Sequence, residues 1–452
     1  MDDGLLLGID VGTTLCKAAI VGTSGEELAH GRVRTPWLAI RGGAEIAPDA
    51  LVNVAVEASE AALAAATGGG VRGRIIGVGV TSMAETGVLL GRDGAPVTTA
   101  IAWHDRRGSD EGARLGRVLG EDRWVETVGL PVSKLCSAAK YAWMRSHTPA
   151  ASDGVRWLNV AEWVVRGFGG EEAAELSLSS RTGWLDRSGR RIWAEALETA
   201  GAPASLVPEP VPAGTNLGTV TRGPDPLRGA AITVAGHDHL CASVGAGAMG
   251  EGVVFNSCGT AEAYVRSVPA PISGGRARLA VAGGVTAGCH VLPGQDALMG
   301  GFTSGLVLDR WLRVLGLAAE DRDRLDAAAL ALPRADGIDV DEQAMERIAE
   351  TGLPHGVTPA HVWRAVLESL AVRGRSVVTT IERVSGPSDG LVVTGGVARG
   401  AAFRAIKEHT VAPFVTAPVE EAGARGAALL GGCAAGVYRD AFAIPAPRRP
   451  GI

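Results

Sequence analysis

Residues 5–21 read LLLGIDVGTTLCKAAIV. Residues 5–9 are a continuous apolar run that ends at Asp10, and residues 18–21 are a second run. Gly12-Thr13-Thr14 lies between them. This order predicts a β-hairpin with a glycine-rich tip. Backbone amides at a glycine turn can converge on a phosphate, two threonine hydroxyls add donors, and Lys17 adds positive charge. Asp10 at the strand end can hold Mg2+ through water, because Mg2+ takes few carboxylates and keeps several waters. Taken alone, the same pattern also fits an ordinary hairpin turn.

The second half of the chain repeats the unit. A strand over 252–257 leads into Asn256-Ser257-Cys258-Gly259-Thr260, and 263–266 returns. One such hairpin per half suggests a duplicated α/β architecture, with both turns facing one triphosphate across a cleft. Pro48 and Asp49 predict a helix over 51–66 with Asp49 as its N-cap. Residues 75–80 read as a buried strand, with 86–90 pairing to it. Residues 201–230 carry Pro203, Pro208, Pro210, Pro212, Pro224 and Pro226. Such a segment resists helix and central strand, so the domain boundary is expected at its end, giving domains 1–228 and 229–452. Thr358-Pro359 starts a long helix, and a strand at 391–393 meets Gly395-Gly396 before a further helix over 401–409.

Three other segments carry candidate chemistry. Gly236-His237-Asp238-His239 follows a strand over 231–235, and a carboxylate there can act as general base toward a bound hydroxyl. The alternative is a loop aspartate capping the helix that follows. Consecutive His-Asp-His cannot easily converge on one zinc ion. Ser82-Met83-Ala84-Glu85-Thr86 and Trp103-His104-Asp105-Arg106-Arg107 offer carboxylates, cations and an aromatic wall suited to a sugar. A surface ion-pair cluster around a packed Trp would look the same. Glycines at 395 and 396 would let a flat ring lie on the backbone.

Composition narrows the class. The chain has 452 residues, 46% apolar and 20% charged, enough for two globular cores. A net charge of −6 without a basic run argues against a nucleic-acid partner. Six scattered cysteines without a CxxC pair suggest neither zinc nor disulfides. The acidic start is unlike a secretory signal, and no uninterrupted apolar run reaches membrane-spanning length. A cytoplasmic protein without membrane partners is expected.

Together these segments resemble the FGGY family of carbohydrate kinases, within the actin, sugar-kinase and heat-shock-chaperone superfamily. GIDVGTTLCKAAI is similar to its first phosphate hairpin, and PVTTAIAWHDRR to its substrate segment. WLNVAEWVVRGFGG and SLSSRTGWLD are similar to the stretch before its domain boundary. AGHDHLCASVGAG is similar to its catalytic aspartate segment, and NSCGTAEAYV to its second phosphate hairpin. TGGVARGAAFRAIKEH and EEAGARGAALLGGCAAG are similar to its adenosine region and final helix. The resemblance implies two actin-like (ribonuclease H-like) α/β domains around a nucleotide cleft, with ATP and Mg2+ as cofactors and a small sugar or polyol as acceptor. It implies Asp238 as general base and Asp10 with Asp238 at the metal. Gly12, Thr13, Thr14 and Lys17 would position the γ-phosphate, Gly259 and Thr260 the other phosphates, and Gly305, Gly395 and Gly396 the adenine. Met83, Glu85, Trp103, Asp105, Arg106 and His237 would face the acceptor. A homodimer is a family option.

Three departures bear on the substrate. Glu85 matches the glycerol kinase pattern, but Ala84 stands where its arginine would be. Met83 matches the xylulose kinase pattern, whose histidine is absent. Residues 331–357 are shorter and more acidic than in relatives, and Gly400 replaces a polar residue near the nucleotide. The expected order of acceptors is ketopentose (xylulose or ribulose), then a tetritol or glycerol-like polyol, then a sugar acid. A superfamily ATPase and a non-catalytic sugar sensor remain the alternatives.

Overall fold

The computed structural model describes residues 4–133, 135–259, 261–335 and 337–447. Thr260 lies outside the described residues. Two sheets organise the chain. The first has the order Ala231–His237, Ile75–Ser82, Leu5–Val11, Leu15–Gly22, Glu27–Arg34. Its first three strands are parallel, and its last three form the expected hairpin and its extension. The second has the order Val285–Cys289, Gln295–Phe302, Glu262–Pro269, Val253–Cys258, Gly390–Thr394, Phe414–Thr416. Each half therefore starts with a hairpin and adds parallel strands through crossover helices, the architecture of two actin-like α/β domains.

Side-chain alternation explains how the first strand is covered. Leu5, Leu7, Ile9 and Val11 face a core shared with the helix Pro48–Gly68, through Leu51, Val54, Ala58 and Ala62. That helix is long and apolar enough to cross a membrane by length and composition, but here its apolar face covers the sheet. Leu6 points the other way, into a core that joins both sheets through Phe255, Val265, Ala424 and Leu429. The final helix, Ala422–Ala434, thus returns from the second half to lie on the first sheet. Its approach is close enough to need glycine. A Cβ on Gly8 would stand 1.8 Å from the Ala424 carbonyl oxygen, and one on Gly79 would stand 1.9 Å from that of Ala427.

Three sequence expectations change. The strand Ala231–His237, expected to open the second domain at 229, hydrogen-bonds in parallel to Ile75–Ser82 within the first sheet. The proline-rich stretch before it is a loop within the first half, bonded back by Leu217 N to Ile232 O and Val220 N to Ala230 O, both at 2.9 Å. Residues 87–90 pair with Arg156–Asn159 rather than with the strand at 75–82. The helix at 48 is capped by Ala47 with Pro48 at its first position, so Asp49 is a first-turn acid, not the cap.

The acidic region after 331 contains a helix, Glu342–Thr351, whose Asp341 side chain accepts from Ala344 N at 2.7 Å. All six cysteines are free.

Candidate active site

Parallel register builds the site. Val11 pairs with Ser82, and Ser82 with His237. Three neighbouring strands therefore end together, delivering Asp10–Thr14, Ser82–Glu85 and His237–Asp238 to one edge of the first sheet. Ligands in open α/β sheets bind at such carboxyl ends.

At the first turn, Gly12 N contacts the Leu15 carbonyl at 3.1 Å, and Thr35 Oγ1 donates to Gly12 O at 2.8 Å. Thr14 is exposed at the tip. Thr13 Oγ1 receives the indole N–H of Trp103 at 2.9 Å and lies 3.9 Å from Met83 Sδ. The hairpin tip and two expected acceptor residues are thus joined. Asp10 is paired across the hairpin with Lys17. Lys17 Nζ bonds Glu421 Oε2 at 2.8 Å, in the turn that precedes the final helix. Burial favours loss of the lysine proton, but Asp10 and Glu421 outweigh it and hold the pKa up. Arg32 ties the same turn down, 2.6 Å from both Glu420 and Glu421.

Burial, with the negative charge of Asp238 next, raises Asp10 to about 7. Asp10 Oδ1 is buried without a hydrogen-bond partner among the described residues. An unpaired carboxylate oxygen near a second carboxylate fits a hydrated Mg2+ ion, which needs few protein ligands. No group of three or more His, Cys, Asp or Glu forms a metal cluster among the described residues.

The aspartate segment is shaped by its backbone. The strand Ala231–His237 shifts register between Val234 and Gly236, and Gly236 has φ +115, which suits glycine. Thr81 Oγ1 donates to Gly236 O at 2.6 Å. Ser177 Oγ accepts from His237 N at 3.0 Å and donates to Glu175 Oε2 at 2.6 Å. Asp238 then opens the helix Asp238–Gly245, where the helix dipole favours negative charge. Its Oδ1 accepts from His239 N at 2.6 Å and lies 3.2 Å from His237 Nε2. Burial lowers His237 to about 4, leaving a neutral imidazole beside the carboxylate.

Glu175 yields a pH prediction. Burial raises its pKa to about 7, and its Oε1 has no partner among the described residues. A carboxyl raised on folding opposes folding once it ionises. The penalty is absent below the unfolded value near 4.5 and complete above about 7. It amounts to roughly 3 kcal/mol. Glu175→Gln should therefore flatten the loss of stability between pH 5 and pH 8 (~), as read from thermal midpoints at each pH. An unchanged slope would show that Glu175 ionises freely in the folded chain.

Glu85 sits in the left-handed region at φ 60, a strained position for a residue with a side chain. Its Oε1 accepts from Arg181 Nε at 2.6 Å, and Arg181 Nη1 reaches Thr286 Oγ1 in the second sheet at 2.9 Å. Arg181 and Glu421 bond to candidate site residues, Thr286 bonds to Arg181, and none of the three was singled out in the sequence. The only signal was a lone arginine in the otherwise uncharged run SLSSRTGW.

Two expected acceptor contacts do not reach this cluster. The Asp105 carboxylate is taken up by protein groups: Ala44 N at 3.0 Å, and Arg107 N, Nε and Nη2 at 2.9, 3.0 and 2.8 Å. Burial would raise its pKa, but Arg107 outweighs burial and holds it below the carboxylate range. It fixes the loop that presents Trp103. Arg106 is exposed, and its carbonyl caps Ser109.

In the second half, Gly259 lies at the tip of the hairpin, its N bonded to Ala261 O at 3.0 Å. Gly395 (φ 100) packs so closely on it that a Cβ would stand 2.2 Å from Cys258 O. Gly396 follows at the start of a short 3-10 turn, Gly396–Arg399. A buried Glu262, bonded to Lys407 and to Tyr264 Oη, supports the returning strand. Gly305 is buried in the first turn of the helix Ser304–Val314. Gly400 faces Asp326, whose Oδ2 would lie 2.3 Å from a Cβ there.

Two actin-like α/β halves, each with a glycine-tipped hairpin, and a carboxylate at the first sheet's carboxyl edge define the sugar-kinase class of fold. The model for the FGGY family of carbohydrate kinases, N-terminal domain, matches residues 5–245, and the C-terminal domain model matches 332–435. The chain belongs to this family. It is a phosphotransferase with an alcohol acceptor. It is 28% identical to the glycerol kinase of Burkholderia vietnamiensis over 97% of this chain and 91% of that protein. It is also 28% identical to that of Pseudarthrobacter chlorophenolicus, over 96% and 90%. Among solved structures, xylulose kinase from Rhodospirillum rubrum superposes with TM-score 0.81 at 23% identity, covering 96% and 92% of the two chains. Plasmodium falciparum glycerol kinase with ADP gives 0.82 at 16%, covering 98% and 92%.

Proposed function

We propose that the protein transfers the γ-phosphoryl group of ATP to a hydroxyl of a small sugar or polyol, in the cytoplasm, with Asp238 as general base. The observation that carries this is the shared end of three parallel strands, which brings the glycine turn, Glu85 and Asp238 to one edge. A phosphoryl acceptor needs all three: phosphate donors, a hydroxyl anchor and a proton acceptor.

Asp238 takes the proton from the attacking hydroxyl. Gly12, Thr13 and Thr14 present the hairpin tip to the γ-phosphate, and Gly259 presents the second tip to the remaining phosphates, to which the family resemblance also assigns Thr260. Gly395 and Gly396, together with Gly305, would line the adenine. Lys17 acts through Glu421, holding the turn before the final helix rather than presenting a free cation. Asp10 and Asp238 would hold Mg2+, which neutralises phosphate charge when bound. Met83, Glu85, Trp103 and His237 line the acceptor side. Closure of the two halves excludes water, the competing acceptor.

Ketopentoses and glycerol-like polyols are the two acceptor classes to place first. Structural neighbours named xylulose kinase support the former, and glycerol kinase relatives together with Glu85 support the latter. Incubation with Mg-ATP and a panel of ketoses, polyols and sugar acids, read by mass spectrometry, should give one strongly phosphorylated class. A panel with no phosphorylated product would refute the assignment.

A further inference from the structure

We propose that Arg181, braced by Thr286 of the second sheet, completes the acceptor site and selects a neutral acceptor with adjacent hydroxyls over a sugar acid. This rests on the acceptor-site reading above.

Arg181 is held in place from both halves. It follows the short helix Leu176–Ser179 in a turn closed by Arg181 N to Leu178 O at 2.9 Å and Thr182 N to Ser179 O at 3.1 Å. Ser180 Oγ accepts from Cys289 N at 2.8 Å, fastening that turn to the edge strand Val285–Cys289. Thr286 Oγ1 donates its proton to Met299 O at 3.0 Å, so it meets Arg181 Nη1 as an acceptor. The guanidinium is therefore oriented by a first-half turn, a first-half carboxylate and a second-half hydroxyl.

The pair it forms with Glu85 is sheltered but not sealed, with side chains 13% and 10% exposed. Both charges act on His237, the residue before the proposed base. Arg181 Nε and Nη1 are engaged. Nη2 and Glu85 Oε2 have no hydrogen-bond partner among the described residues. A donor next to an acceptor matches two neighbouring hydroxyls, each of which can give and receive. The paired charges cancel, so no net cation remains to offset the desolvation of a carboxylate. Ala84, next to Glu85, contributes no side-chain polar group.

Steady-state kinetics with saturating Mg-ATP and varied acceptor tests this, on wild type, Arg181→Gln, Arg181→Lys and Thr286→Val. Arg191→Gln, an exposed arginine in the same segment, is the control. Arg181→Gln should raise the acceptor KM by about 30-fold or more and leave the KM for ATP within about twofold. Arg181→Lys should recover little, because an ammonium cannot bridge Glu85 and Thr286 in a fixed fork. Thr286→Val should cost about 3- to 10-fold in acceptor KM. If Arg181→Gln melts early, the lysine and Thr286 variants carry the same comparison. An acceptor KM within about twofold of wild type across the variants would overturn the role of Arg181 alone. A sugar acid as the best wild-type acceptor would overturn the selectivity. Wild type without any acceptor-dependent turnover would overturn the acceptor-site reading and this inference with it.

Discussion

Asp238→Asn is expected to lower acceptor phosphorylation by about a thousandfold in kcat, with the acceptor KM within about threefold of wild type. The side chain keeps its size, and an amide oxygen can still accept from His239 N, the contact seen at 2.6 Å. What it loses is the ability to take a proton. The adjacent His237 is buried and held near 4, which makes it a weak replacement. Removing the charge of Asp238 also removes one cause of the raised Asp10 pKa, so the variant should fold at least as well as wild type. A variant within tenfold (~) of wild-type kcat would show that another group carries the proton, or that none is needed in the rate-limiting step.

Gly8→Ala is expected to have the largest effect on stability. The added Cβ would stand 1.8 Å from Ala424 O and 2.5 Å from Ala428 N, both backbone atoms of the final helix. Rotamer changes cannot relieve a clash with backbone, so the helix must move off the sheet. That helix shares a core with Leu6, Phe255 and Val265, drawn from both halves. Overpacking typically costs about 1–3 kcal/mol, and a backbone clash belongs at or beyond the upper end. The expected fall in thermal midpoint is about 3 °C or more. Gly68→Ala, whose Cβ would meet nothing within 4 Å and whose backbone is not left-handed, shows the cost of adding a methyl group without a clash. Equal losses in the two variants would mean that the sheet and final helix are not in the close contact described.

The features legible in the sequence were local ones. The hairpin at 5–21 and its counterpart at 253–269 announce themselves by apolar runs broken at glycine, and the structure has both. The helix Pro359–Ser385 starts where Thr358-Pro359 predicts. What was not legible depended on distant pairing. The proline-rich run at 201–230 looks like a linker by composition. Only the parallel bonding of Ala231–His237 to Ile75–Ser82 shows that the first sheet is still incomplete there. Asp105 reads as a sugar contact next to Trp103 until Arg107, two residues on, is found to occupy it. Lys17 reads as a free cation until Glu421 arrives from the far end of the chain. Arg181 carries no motif of its own. Its meaning comes from Glu85 and Thr286, 96 and 105 residues away.

Acceptor dependence of ADP release is the most direct measure of the central claim, that this edge of the first sheet hands a phosphoryl group to a bound hydroxyl. Wild type would be assayed with Mg-ATP alone and then with its best acceptor. The arrangement predicts stimulation of about a hundredfold or more, with one phosphorylated acceptor formed per ADP. ADP release at the same rate with and without acceptor would contradict it and make the chain an ATPase on this fold.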